Sequence, residues 1–221
     1  MRLPPFKFSL IITSVLVMTL LAGGFLFLSS QGDDSHPRLI PDQAMTAFVA
    51  PKPLKEFILT DQNNDVFDLS RLQGNWSFLF FGFTHCPDIC PGTLTSLSKL
   101  REQVTNGVNG SKNSQFIFIS VDPRRDTAVT LKQYTSYFDP SIIGVTGTEL
   151  ELRNLTRQID AKFRVEASPD KKNYQIYHST AIFLINPQGQ YAALLTPPFD
   201  ISTISRRFNV LKKIDAINSL P

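Results

Sequence analysis

Apolar positions along the chain alternate between short continuous runs and stripes at helical spacing. "FILTDQNNDVFDLSRL" (Phe57–Leu72) places two alternating segments around Gln62-Asn63-Asn64 and predicts a β-hairpin. "WSFLFFGF" (Trp76–Phe83) is apolar almost throughout, as in a strand buried on both faces. Leu94, Leu97, Leu100 and Val104 follow at near-helical spacing. "QFIFISVD" (Gln115–Asp122) predicts a second buried strand, and Leu131, Tyr134 and Phe138 mark a helix over 127–138. "IIGVTG" is a short strand, and Leu152, Leu155, Ile159 and Phe163 predict another helix. "YHSTAIFLINPQGQYAALLTPP" holds two apolar runs joined by Asn186-Pro187-Gln188-Gly189, a hairpin signal. Ile201, Ile204, Phe208 and Leu211 mark a last helix.

Strands that alternate with helices imply a layered sheet with helices on its faces. The closing antiparallel hairpin makes that sheet mixed. The expected class is therefore α/β: a thioredoxin-like mixed sheet with flanking helices and an N-terminal β-hairpin. Its cysteines lie between the first buried strand and the helix after it.

The N-terminus follows another pattern. From Phe8 to Leu28 there are 21 residues without a charge. As a helix this run reaches about 31 Å, close to the thickness of a bilayer core. Arg2 and Lys7 precede it, while Asp33 and Asp34 follow. That asymmetry places the N-terminus in the cytoplasm and the remainder outside. A cleaved signal peptide is the rival, but its apolar core is usually only about 7–15 residues. The expected organisation is a membrane anchor over 1–30, a polar, Pro-containing tether over 31–53 and a thioredoxin-like domain over 54–221. An Arg-rich amphipathic transit peptide is not visible. The expected location is thus a bacterial inner membrane, single-pass, with the soluble domain in the periplasm.

Charge adds one exclusion. The net charge of +3 falls to about +1 once Arg2 and Lys7 are set aside. Nothing basic enough remains to suggest a nucleic-acid partner.

The chain has two cysteines, Cys86 and Cys90, both in "LFFGFTHCPDICPGTLTSL". In an exported domain they could close a structural disulfide, although so small a ring would add little stability. Reactive groups of layered sheets gather beyond the carboxyl ends of the strands, which is where this segment falls. Pro91 suits a first helical position, which would put Cys90 at the N-cap. Thiols at a helix N-terminus have lowered pKa values. Thiolates serve both disulfide exchange and soft-metal binding, so position alone does not choose between them.

A third ligand would favour metal. The three histidines are His36 in the tether, His85 next to Cys86, and His178 at a strand entry. In extended backbone His85 would point away from its neighbour. His178 falls close to where a thioredoxin-like fold brings a loop to face the cysteines. Two sulfurs and one imidazole suit Cu(I), a soft ion content with few ligands. Zinc would want a fourth, and Cu(II) would want an additional oxygen or nitrogen.

"FGFTHCPDICP" (Phe81–Pro91), "SVDPRRDT" (Ser120–Thr127) and "YHSTAIFLINPQG" (Tyr177–Gly189) resemble, in that order, the blocks of the Sco/SenC family. The resemblance extends from about Leu54 to Ile214. It implies a membrane-tethered thioredoxin-like domain that binds copper through two cysteines and a distant histidine, here Cys86, Cys90 and His178. It also implies a role in assembling the binuclear copper centre of cytochrome c oxidase. The implied partners are the apo copper-site subunit of the oxidase, a copper-donor chaperone and a thiol reductant. Two departures stand out: Tyr177 occupies a position where many members have Asp, and "YAALLTPP" lacks a Gly-containing ending common in the family. Asp122 and Arg125 are expected at a neighbouring strand end, either as a solvated loop pair or as a docking feature.

A copper chaperone, not an enzyme, is the leading expectation. The alternative is a thiol–disulfide oxidoreductase that reduces the cysteines of a copper site, with Cys86 attacking and Cys90 resolving. A non-catalytic redox or copper sensor and a peroxidase follow at a distance. A general oxidoreductase is disfavoured by CxxxC spacing in place of CxxC.

Overall fold

In the computed structural model, residue 18 and residues 44–106, 112–166 and 174–218 are described. The chain divides into two units, Met1–Pro41 and Asp42–Pro221. The expected anchor and His36 lie outside the described residues except for Met18. No helix among the described residues is long and apolar enough to cross a membrane.

The second unit contains strands β1 (Met45–Pro53), β2 (Ile58–Asp61), β3 (Val66–Asp68), β4 (Trp76–Gly82) and β5 (Ser114–Ser120). These are followed by β6 (Ile142–Thr146), β7 (Phe163–Val165), β8 (Ile176–His178), β9 (Ile182–Ile185) and β10 (Gln190–Leu195). The helices are α1 (Ile89–Asn106), α2 (Ala128–Phe138), α3 (Glu149–Gln158) and α4 (Ile201–Asn218). Eight strands form one sheet in the order β1-β10-β9-β4-β5-β6-β2-β3, while β7 and β8 form a separate ribbon. Strands β4, β5 and β6 run parallel, and β9 pairs antiparallel with β4. This mixed sheet with helices on both faces is thioredoxin-like.

The centre of the sheet follows from its sequence. Every residue of β4 is buried, because helices or the ribbon cover both faces. Phe78, Phe80, Phe116, Phe118, Ile182 and Leu184 point to one face and pack with α1, α2 and α4. Leu79, Phe81, Ile117, Ile119, Phe183 and Ile185 point to the other and pack with α3 and the ribbon. Phe78 lies opposite Phe116 across the parallel pair, with rings stacked 4.7 Å apart. Each such buried Phe contributes about 1.5–3 kcal/mol. An exposed ion pair such as Arg153–Glu149 contributes about 0–1 kcal/mol, so the aromatic layer outweighs the surface charges.

Three helix starts are capped by side chains. Thr127 accepts from the Thr130 N–H, Thr148 from the Glu151 N–H and Asp200 from the Thr203 N–H. Each satisfies a backbone donor that the helix cannot. The two expected hairpins form: Asn64 takes a positive φ of 66° beside the β2–β3 turn, and Gly189 one of 73° in the β9–β10 turn.

Three sequence expectations are corrected. Residues 45–53, read as the end of the tether, form β1 on the edge of the main sheet. An edge strand tolerates Pro51 and Pro53, and six of the nine β1 residues are exposed, so no apolar alternation marks it. Phe163, read as the end of a helix, begins β7. The helix stops at Gln158, and Asp160 adopts a left-handed φ of 56° that turns the chain out of the helical path. Helix α1 begins at Ile89, with the Gly92 N–H bonded to the Asp88 carbonyl. Cys90 is therefore inside the first turn, and Pro91 follows it where an N–H would have no helical partner.

Asp139 holds the cysteine-bearing helix to its neighbour. Its carboxylate accepts from Ser98 and Arg101 of α1 and from the backbone and hydroxyl of Ser141. Burial would raise its pKa, but the Ser141 and Arg101 interactions prevail and hold it below the usual value. Its contribution to stability is thus present above about pH 4 and lost as pH falls through the folded value. Asp139→Asn is expected to cost about 1–2 kcal/mol at pH 7. The difference should shrink towards pH 2–3, and urea unfolding across that range checks it.

Candidate metal centre

The site is assembled beyond the carboxyl end of β4. After Gly82 the chain turns through Phe83–Cys86, with the Cys86 N–H bonded to the Phe83 carbonyl. One helical turn later Cys90 points back into the core and is fully buried, while Cys86 is half-buried where the two core clusters meet. The Cys90 N–H donates to Cys86 Sγ at 3.4 Å. A helix N-terminal N–H thus faces the more accessible sulfur. Burial pushes the Cys90 thiol pKa up, with backbone bonding to Phe83 only partly opposing it.

His178 comes from 88 residues beyond Cys90, and it closes the separate ribbon strand β8 where the sequence suggests a strand entry. Its Nε2 lies 3.4 Å from Cys90 Sγ, and its Nδ1 lies 3.0 Å from the Ser179 carbonyl. A carbonyl only accepts, so Nδ1 carries the proton and Nε2 presents a lone pair to the sulfurs. Burial lowers the His178 pKa, favouring this neutral form despite opposing backbone bonds. The ring packs edge-on to Phe80 and Phe83 at 5.9 and 5.8 Å. The ribbon beneath it is fixed by Phe163 opposite His178 and by the Ser179 N–H bonded to the Lys162 carbonyl.

Cys86, Cys90 and His178 bring their ligand atoms within 4.8 Å of one another, and among the described residues they are the only such group of three. Metal bonds of about 2.3 Å to sulfur and about 2.0 Å to nitrogen can span that spacing. The chemistry is that of a soft site: two thiols and one neutral imidazole, with no carboxylate in the group. His85 stands apart. Its side chain is 54 % exposed and turns to Thr84 and Asp126, with Nδ1 3.8 Å from an Asp126 oxygen.

Two supports were not singled out from the sequence. Asp126 is buried and accepts from the Thr84 N–H at 2.8 Å, the Thr84 hydroxyl at 2.6 Å and the Ser120 hydroxyl at 2.5 Å. It thereby anchors the start of the cysteine loop to the end of β5. Gly82 is the second. A Cβ there would meet Cys90 Sγ and Phe118 Cε2, each at 2.7 Å. A buried strand ending in Gly just before a reactive segment was the available signal, since such a Gly marks a close approach.

Asp122 and Arg125 are not a solvated loop pair. Asp122 is buried, binds the Arg125 guanidinium and accepts from the Tyr174 hydroxyl. The guanidinium lies 3.9 Å over the Tyr174 ring and 5.7 Å from that of Phe83. Burial, followed by the bond to Asp122, pushes the Tyr174 pKa up to about 12. The clasp ties β5's end to the residue that leads into β8, and so fixes the approach to His178.

A thioredoxin-like domain with two thiols of a CxxxC segment against a distant imidazole defines the class. The SCO1/SenC family model matches residues 49–212, so the chain belongs to that family. A SCO2-like protein of Rickettsia conorii is 41 % identical over 138 residues, which are 62 % of this chain and 65 % of the relative. The chain thus spans just under two thirds of that relative's length. Yeast Sco1 with copper bound is 31 % identical with a TM-score of 0.65, covering 77 % of this chain and 91 % of that one. Arabidopsis thaliana ScoI with copper bound is 28 % identical with a TM-score of 0.65, covering 73 % and 98 %.

Gly82→Ala is expected to force Cys90 or Phe118 from its place. Overpacking of this kind costs about 1–3 kcal/mol. Chemical denaturation should show the loss, and a thiol-reactive probe should label Cys90 faster than in the wild type.

Proposed function

We propose that this protein is a membrane-tethered copper chaperone that holds Cu(I) on Cys86, Cys90 and His178. It passes the ion to the binuclear copper centre of cytochrome c oxidase. The observation that carries this reading is the closure of three soft-metal donors, two from a helix start and one from 88 residues later, within 4.8 Å. Family membership and the copper-bound relatives support copper as the cargo and oxidase assembly as the task.

Each residue has a part. Cu(I) entering the reduced site displaces the thiol protons and finds the Nε2 lone pair already exposed. Ser179 keeps the other ring proton in place. Cys90 binds from the core, where its thiol is otherwise hard to ionise. Cys86 is the more accessible ligand, so an incoming thiolate of the apo copper-site subunit replaces it first. A copper-donor chaperone loads the site by the same exchange in reverse, and a thiol reductant keeps both sulfurs reduced. The uncharged run Phe8–Leu28 tethers the domain to a bacterial inner membrane, with the soluble domain in the periplasm.

The unequal exposure of the two sulfurs favours one second reading, thiol–disulfide exchange. Cys86 thiolate would attack a partner's disulfide and release one partner thiolate. Cys90 would then displace the second, leaving Cys86–Cys90 oxidised and the partner as a dithiol.

An anaerobic Cu(I) titration of the full chain in a non-ionic detergent, against a competing chelator, tests the leading reading. One tight equivalent is expected. His178→Ala should weaken it by about tenfold or more, since even an outer partner of a metal ligand is worth that much. His85→Ala should change it little. Unchanged affinity in His178→Ala would remove that residue from the site. Absence of tight copper with a readily cycled disulfide would leave the exchange reading.

The tether is tested separately. Removal of residues 1–32 is expected to move the protein from the membrane fraction to the soluble fraction with its copper stoichiometry intact. Retention at the membrane would place the membrane contact elsewhere.

A further inference from the structure

Beside His178 lies an open groove of ≈ 670 Å³ between α3 and the β7–β8 ribbon, lined by neither cysteine. Arg153, Arg157, Lys162 and Arg164 line it, and none of its lining residues is a carboxylate. All four are exposed. The cations do not reflect general basicity, because the chain beyond Arg2 and Lys7 is almost neutral. Two acids beside the groove are engaged. Glu149 pairs with Arg153 at 2.7 Å, and Glu166 accepts from the Tyr177 hydroxyl at 3.3 Å. Among the described residues, no carboxylate pairs with Arg157, Lys162 or Arg164.

The floor is aromatic. Phe163 is buried under the Arg153 guanidinium, which lies 4.7 Å from its ring centre. Tyr177 stays 53 % exposed with the Arg164 guanidinium 4.8 Å over its ring. Arginine and tyrosine at a half-open aromatic surface are the residue types that anchor protein interfaces. The cations stand on long exposed side chains. This suits several spaced carboxylates of a polypeptide better than one small anion.

We infer that this groove is a docking face for an acidic segment of the protein that receives the copper, a segment with carboxylates flanking an apolar or aromatic side chain. The inference rests on the copper-delivery reading above. Ligand exchange needs the recipient's thiolate within bonding distance of the ion. A groove lined by His178 but by neither cysteine holds the recipient's segment beside the ligand set without covering Cys86. The charges steer the encounter and set orientation, and the exposed Tyr177 ring supplies contact area.

The test uses the full chain in a non-ionic detergent and a fluorophore-labelled hexapeptide of Asp and Glu around one Trp. A control peptide replaces the acids with Asn and Gln. Fluorescence anisotropy at low salt is expected to show binding of the acidic peptide only. Arg157→Glu combined with Lys162→Glu should weaken it by about tenfold or more, as should raising salt well above 0.1 M. Both residues are exposed and outside the metal group, so Cu(I) affinity should stay at the wild-type value. Equal binding of the two peptides, or equal affinity in the double variant, would overturn the groove as a docking face. Cu(I) uptake without preference for the acidic peptide would likewise overturn the groove and leave the carrier reading intact. Preference for the acidic peptide in a chain that takes up no Cu(I) would support the docking face and overturn the carrier reading alone.

Discussion

The parallel pairing of β4 with β5 is the constraint on which the site depends. Its register sets Gly82 against Ser120, and the next bond runs from the Val121 N–H to the Gly82 carbonyl at 2.8 Å. Both strands therefore end at the same level. The segment leaving β4 carries the cysteines, and the segment leaving β5 carries Asp122 and Asp126. A slip of one residue would reverse every side chain of β4 and turn the buried Phe layer inside out. The stacked Phe78–Phe116 pair and the two filled faces resist that slip with several kcal/mol per residue pair. The precision of the site is thus inherited from the least polar part of the protein.

Two aspartates convert that register into the position of the ligands. Asp126 binds the backbone and hydroxyl of Thr84 and so fixes where the cysteine loop begins. Asp122, through Arg125 and Tyr174, fixes the strand that delivers His178. Both carboxylates are buried, and a buried carboxylate is tolerable only when hydrogen-bonded or paired. Each is held by several donors at once, so neither can relax without leaving an unsatisfied group. Donor side chains placed by such supports would need little rearrangement if the proposed ion entered or left.

The three candidate donors differ in ways that suit the proposed transfer more than storage. Cys90 is buried and hard to ionise, Cys86 is half-buried and faces a helix N–H, and His178 is neutral with its lone pair directed at the sulfurs. The group is half-exposed at Cys86, and the basic groove is lined in part by His178. The same arrangement accounts for the competing thiol chemistry, since the sulfur an acceptor can reach is also the one a disulfide can reach.

Much of this was written in the sequence. The continuous apolar run of β4, the Asn-Pro-Gln-Gly turn and the helical spacing of Leu94, Leu97 and Leu100 follow from local periodicity and turn chemistry, which need no partner to be read. The CxxxC segment between strand and helix marked the thiols for the same reason. The edge strand β1 and the ribbon strands β7 and β8 were not legible. Their residues are mostly exposed or very short, and only pairing with distant segments makes them strands. His178 could be favoured from fold placement and from a family resemblance, but its distance to Cys90 is a tertiary quantity. So are the burial of Asp122 and Asp126, the need for Gly82, and the gathering of four cations beside His178. Local sequence determined which elements form and which side chains carry the chemistry. Tertiary packing alone decided which of them meet, because contact across 88 residues is set by sheet register and core volume, which no local pattern encodes.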